Sequence, residues 1–248
     1  NGTISASYVD SFAVKTDGTL WGVGAASHGV LAQNNLTHYS SPVQIPGTTW
    51  SSIHSSLYSS FGVKTDGTLW SWGYNGNGKL GQNNQVKYSS PAQIPGTTWT
   101  SKMDGGHSHW LGIKTDGTLW AIGEGDHGQN GQNNNVNYSS PIQIPGTTWT
   151  SVHVGKQNNY ATKSDNTFWT WGMNEKGELG QNNLVKYSSP VQIPGSTWAA
   201  GSGAANQAAA AVKTDGTLWT WGTNYAGSLG HNSRTQYSSP VQVPGTTW

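Results

Sequence analysis

The chain repeats one phrase five times. "YSSPVQIPGTTW" ends at Trp50, and near-copies end at Trp99, Trp149, Trp198 and Trp248, at intervals of 49, 50, 49 and 50 residues. A second phrase, "KTDGTLW", keeps the same period from Lys15, Lys64, Lys114 and Lys213, with the variant "KSDNTFW" at Lys163. The sequence therefore divides without remainder into repeats 1–50, 51–99, 100–149, 150–198 and 199–248. One structural unit is built five times, which reads as a single domain of stacked units rather than several unlike domains.

Within a repeat the strand signals are short and separated by turn residues. In the second copy "SSIHS", "SSFGVK", "TLWSWG" and "PAQIP" are the four candidate strands. The intervening "TDG" is an Asp-Gly turn, where glycine supplies the positive φ that a tight hairpin needs. The stretch "GYNGNGKLGQNN" is too rich in Gly and Asn for a helix and reads as a long loop. Four short antiparallel strands in about 50 residues make the blade of a β-propeller, and five blades lie within the usual range of about 4 to 8. The expectation is an all-β, five-bladed propeller.

An open array needs polar terminal units, because its outer faces lack neighbours. The first copy nevertheless keeps Phe12, Val14, Leu20 and Trp21, and the last keeps Val212, Leu218, Trp219 and Trp248. Packing of the first repeat on the last, closing the ring, is the expectation that follows. The 14 Trp fit a core of this kind. Trp72, Trp171 and Trp221 are replaced in the other copies by Val23 and Ile122, which marks an apolar position between blades rather than a sugar-stacking platform. Trp70, Trp120, Trp169 and Trp219 are likewise expected to be mostly buried there.

The segments "SFAVKTDGTLWGVG", "SSFGVKTDGTLWSWGYNGNGKLG" and "AAVKTDGTLWTWGTNYAGSLG" resemble the repeat of the regulator of chromosome condensation family, with its Trp-Gly-x-Asn-x-x-Gly-Gln-Leu-Gly core. The resemblance runs through all five copies. It implies a propeller that binds partners through two loop sets on one face. Family rings typically have seven blades, so five copies imply either a small ring or part of a larger one. The acidic face that nucleotide exchange requires in the family's namesake has no counterpart here residue by residue.

Composition removes several function classes. Charged residues make up 9% and the formal net charge is +1, with Arg234 the sole arginine, so there is no basic field for nucleic acid. Cysteine is absent, no apolar run reaches the roughly 18 residues of a membrane span, and no motif calls for a cofactor. The opening "NGTISASYVD" carries neither an initiator Met nor a leader, and reads as a processed chain or excised domain of a longer polypeptide or assembly. The expected location is extracellular, or a viral or cell surface.

Because the copies are so alike, their differences are informative. Two windows vary most: the one before the second strand, and the one after "WG" or its equivalent. From these windows Tyr8, His28, Tyr58, His107, His109, His127, Lys156, Lys176 and Tyr225 are the candidate contact residues for a protein partner, since aromatic and long polar side chains dominate interface energies. The hairpin direction places both windows on one face and the "KTDG" turns on the other. A glycan would instead use recurrent elements such as Asn83, Tyr88 and Ser90 and their counterparts, as five equivalent weak sites. A third reading is a structural module decorating a viral particle or surface fibre. Enzyme chemistry is not indicated. His107-x-His109 is a weak metal pattern, Asp17 and its four counterparts belong to turns, and no nucleophile, base and orienter can be assembled.

Overall fold

The structure is a computed structural model that describes residues 3–7, 9–199, 203–205 and 207–248. Among the described residues there are twenty strands in five four-stranded antiparallel sheets, each in sequential order. The first sheet is β1 (Ile4–Ala6), β2 (Asp10–Val14), β3 (Leu20–Gly24) and β4 (Tyr39–Gln44). The second is β5 (Trp50–Ser56), β6 (Ser59–Lys64), β7 (Leu69–Gly73) and β8 (Tyr88–Ile94). The third is β9 (Trp99–Gly105), β10 (His109–Lys114), β11 (Leu119–Gly123) and β12 (Tyr138–Ile144). The fourth is β13 (Trp149–Val154), β14 (Asn158–Lys163), β15 (Phe168–Gly172) and β16 (Tyr187–Ile193). The fifth is β17 (Gly203–Ala205), β18 (Ala208–Val212), β19 (Leu218–Gly222) and β20 (Tyr237–Gln242). First strands of successive sheets pack against one another, so they form the inner side of the arrangement and the fourth strands its rim.

Four apolar cores lie between the five sheets. One joins Phe12, Leu20 and Leu31 to Trp50, Ile53 and Trp72, and the same pattern recurs at the next three junctions. Each repeated phrase thus hands its closing Trp to the following sheet: Trp50, Trp99, Trp149 and Trp198 are only 2–3% exposed.

The recurrent letters are accounted for by local structure. Each Asp of the "TDG" or "SDN" turn accepts the N–H and hydroxyl of the Thr two residues on. For Asp116 and Thr118 the distances are 3.0 and 2.7 Å. That Thr hydroxyl in turn accepts the indole N–H of Trp120 at 2.8 Å, and Lys114 Nζ stands 4.1 Å from the Trp120 ring and 4.8 Å from that of Trp99. Under this cover Trp21, Trp70, Trp120, Trp169 and Trp219 are partly buried, and the last four pack against the junction cores as the sequence led us to expect. The first Trp of each "WxW" pair lies toward the turn end of its strand, between the lysine and the closing Trp of the preceding phrase. Trp72, Trp171 and Trp221, two residues further on, are fully buried.

Among the described residues no strand of the fifth sheet packs on the first sheet as successive sheets pack on one another, so closure of the ring is not shown. Trp248 is 58% exposed, although its N–H bonds Gly216 O as Trp50 N–H bonds Gly18 O. Gly29 and Gly78 abut a serine of the next sheet, so an added Cβ would stand 2.7 Å from Ser89 Cα or 2.6 Å from Ser139 Cβ; Gly227 has nothing nearer than its own loop.

Candidate functional site

The hairpins separate the molecule's two ends. The "TDG" turns and the "PGTTW" phrases share one end, tied by bonds such as Thr65 N–H to Thr49 O at 2.8 Å. Both variable windows open at the other end, where Tyr74 N–H, just past "WG", donates to Tyr58 O at 2.7 Å.

On that end the structure assembles two clusters. In the first, His28 sits in a 3-10 turn with φ 64°, and its ring lies 5.0 Å from those of both Tyr58 and Tyr74. Burial, with Lys87 and Lys79 nearby, holds the His28 imidazole below its ordinary pKa. The second cluster surrounds a depression of about 390 Å³ lined by Ser56, Leu57, Gly106, His107 and Lys156. His107 N–H donates to Lys156 O at 3.3 Å, and Ser56 Oγ donates to Gly106 O, so inner turns of three successive sheets are joined. His107 and Lys156 are exposed.

The other candidates are spread around the same end. His127 is half-buried, its N–H bonded to Gln129 Oε1 at 2.8 Å; Lys176 is exposed, its N–H bonded to Glu178 Oε2 at 2.6 Å. Tyr225, on the fifth sheet, is 81% exposed. Tyr8 lies outside the described residues.

His109 is not a surface contact. It is the first residue of β10 and completely buried, with Nε2 2.7 Å from Asn159 Oδ1, whose amide donates to Gln129 O at 2.9 Å. Burial pushes its pKa down to about 4. His107 and His109 therefore face different surroundings, one solvent and one a junction core, and do not form a chelating pair. Two residues that matter were missed. Tyr74 completes the His28 cluster; its signal was that Ala25, Glu124, Met173 and Thr223 stand there in the other copies. Lys79 is 2% exposed, donating to Leu57 O at 2.7 Å and His107 O at 3.2 Å, and burial lowers its pKa to about 8. Its counterparts Val30, Gln129 and Glu178 are buried too, so the most variable letter of this glycine-led segment plugs each junction beneath the variable turns.

The recurrent set is committed elsewhere. Tyr88 OH accepts Asn84 Nδ2 at 3.0 Å, which closes its own loop, and Asn83 N–H donates to Ser139 O of the next sheet at 2.7 Å. Asn83 Oδ1 accepts the Ser140 hydroxyl at 3.4 Å, and Ser90 is exposed without joining Asn83 or Tyr88 in a common hollow. Recurrence of "QNN" and "YSSP" follows from loop closure and sheet-to-sheet bonding, and nothing further supports five sugar sites.

Repeated four-stranded sheets with unlike loops gathered at one end define a repeat protein of propeller type. The regulator of chromosome condensation (RCC1) repeat matches residues 66–113, 116–161, 165–207 and 215–247. These segments are most of the chain, which belongs to that family. Among solved structures, human WBSCR16 is 20% identical with a TM-score of 0.82, covering 98% of this chain and 67% of its own. Prp20p from Saccharomyces cerevisiae, described with its binding to Gsp1p and histones, is 17% identical with a TM-score of 0.83, covering 98% and 65%. Yeast RCC1 (Prp20) with Kap60 bound is 16% identical with a TM-score of 0.81, covering 98% and 63%. The chain spans about two thirds of these relatives' length. Among curated proteins no sequence matches.

Proposed function

We propose that the chain is a non-enzymatic binding module that engages a protein partner with the end carrying the unlike loops. The observation behind this reading is a division of labour. Recurrent residues are consumed in holding sheets together, whereas unlike aromatic and charged side chains collect in the His28–Tyr58–Tyr74 cluster and the His107–Lys156 depression. A mixed aromatic and cationic surface over rigid strands has the composition of interface hot spots. The solved relatives named with protein partners support the general property, and their particular partners are not carried over.

The test compares three immobilised proteins in capture from a source extract: the wild type, Tyr58→Ala/His107→Ala/Lys156→Ala at the loop end, and Asp66→Ala/Asp116→Ala at the "TDG" end. A protein retained by the wild type and the second variant but lost from the first supports the reading. Retention by all three, or binding on a glycan array that survives the loop-end variant, removes it.

A further inference from the structure

Basic side chains from three successive sheets, Lys79, His107 and Lys156, gather at one hollow of the loop end. Its walls enclose about 390 Å³ and consist of Ser56, Leu57, Gly106, His107 and Lys156, with no carboxylate among them. His107 and Lys156 are exposed at its edge. Lys79 is 2% exposed and donates to Leu57 O at 2.7 Å and His107 O at 3.2 Å, the carbonyls of two wall residues. Both acceptors are neutral, whereas a charge taken out of water is ordinarily matched by an opposite one. Glu124 is the acid whose field reaches Lys79, and it sits in the other loop of the third sheet, its N–H on Ser108 O at 3.0 Å, outside the hollow. Burial accordingly presses the Lys79 ammonium toward its neutral form.

The walls are tied together by backbone. A Cβ on Gly106 would collide with Gly155 O and stand 2.8 Å from Val154 Cγ1, so glycine alone permits the approach that brings His107 N–H to Lys156 O at 3.3 Å. Gly106 N–H donates to His109 O at 3.0 Å, and Gly106 O accepts the Ser56 hydroxyl of the second sheet. His107 Nδ1 lies 3.1 Å from the Ser108 hydroxyl, and a hydroxyl donating there leaves the ring proton on Nε2 as a donor for an incoming acceptor. The long side chain left to order on binding is that of Lys156, which limits the entropic cost.

The geometry points to a carboxylate as the group this hollow takes: an Asp or Glu side chain of the protein partner, seated between His107 and Lys156 above the Lys79 ammonium. The inference rests on the loop end being the binding end. Leu57 supplies an apolar wall for the methylene stem of such a side chain. A volume of about 390 Å³ lies at the small end of the roughly 300–1,000 Å³ of ligand hollows, which suits one inserted side chain. Carboxylate is favoured over phosphate by the donors present. Phosphate recognition gathers arginine forks, whereas here two ammonium groups and an imidazole converge, and the sole arginine, Arg234, lies in the loop before β20 of the fifth sheet.

The experiment selects phage-displayed random peptides that the wild type retains and the Tyr58→Ala/His107→Ala/Lys156→Ala variant does not. Synthetic peptides from that pool are then measured against Lys156→Glu, Lys79→Met and Lys186→Glu, the last an equal charge reversal at an exposed site away from the hollow. The expected pool shares one Asp or Glu, whose change to Asn or Gln weakens binding about tenfold. Lys156→Glu abolishes binding, Lys79→Met weakens it about tenfold without altering any wall residue, and Lys186→Glu leaves it unchanged. If Lys79→Met does not fold, Lys156→Glu at its exposed position decides. An empty pool, a pool without a shared acid, or equal losses in Lys156→Glu and Lys186→Glu overturns the inference. Tighter binding when the acid is replaced by phosphoserine also overturns it and gives the hollow to phosphate. A protein captured from extract that is lost with the triple alanine variant but kept by Lys156→Glu leaves the loop end as the binding end and removes the carboxylate anchor. Capture that survives the triple variant removes both.

Discussion

Both ends of these sheets are made of loops on the same hairpins, yet they differ in kind. At the "TDG" end the Asp–Thr–Trp–Lys assembly is rebuilt at every copy, with indole-to-hydroxyl distances of 2.8–3.0 Å throughout. At the other end a backbone bond recurs, as from Tyr74 N–H to Tyr58 O, but the side chains above it differ from copy to copy: an imidazole between two phenols, a lysine on two carbonyls, an Asn–His pair. The contrast teaches that being a loop does not decide whether a residue is free to change. What decides it is whether its polar groups close the unit on itself or on its neighbour.

The largest expected effect tests whether a recurrent letter matters by its surroundings. Trp149→Ala, in a site 3% exposed and packed on Trp169 and Trp171, should cost about 3–5 kcal/mol in urea unfolding. The same change at Trp248 should cost less than about 1 kcal/mol. Equal losses at the two positions would erase the distinction between filled and unfilled junctions.

Next comes the buried polar layer under the variable turns. His109 binds protons less readily folded, at a pKa of about 4, than unfolded, near 6.5. The unfolded chain therefore takes up more protons in that window, and the protein should lose roughly 3 kcal/mol of stability as pH falls from 6.5 to 4. His109→Gln should flatten that part of the curve, and an unchanged slope would place the titration on another group such as His54.

Lys79 works at the opposite end of the pH scale. Its pKa is about 8 folded against 10.5 unfolded, so the burden of burying the ammonium is full below pH 8 and lifts as pH rises toward 10.5. Stability relative to Lys79→Met should therefore improve across that interval, and a parallel pair of curves would show that the lysine is already solvated. The smallest effect sharpens the contrast most. His107→Ala and Lys156→Ala, both exposed, should each shift stability by no more than about 0.5 kcal/mol while abolishing partner binding.

Much of this architecture was legible in the sequence because the period, the Asp-Gly turns and the "WxW" spacing are local signals. The sheets keep the period of the repeats, shifted so that Trp50, Trp99 and Trp149 open the next sheet instead of closing their own repeat, and both variable windows open at one end. Ring closure was less legible, because apolar residues at both termini say that each outer face needs cover but not what supplies it. His109 and His107 look equivalent in sequence, two residues apart in one window. The turn at Gly106 to Ser108 breaks the alternation, leaving one imidazole in water and the other against Asn159. Tyr74 was passed over because it follows "WG" directly and reads as the start of a loop.

The hand-over of each closing Trp to the next sheet also orders events as the chain is made. Trp50 is the first residue of the second sheet to be synthesised and becomes part of the core between it and the first, and Trp99 and Trp149 do the same in turn. A ribosome working from the N-terminus delivers the seed of each core just ahead of the hairpin that wraps it, so every newly emerged sheet meets an indole already anchored on its finished predecessor. All contacts then form between segments about one repeat apart, which favours rapid stepwise growth over a search across the whole chain.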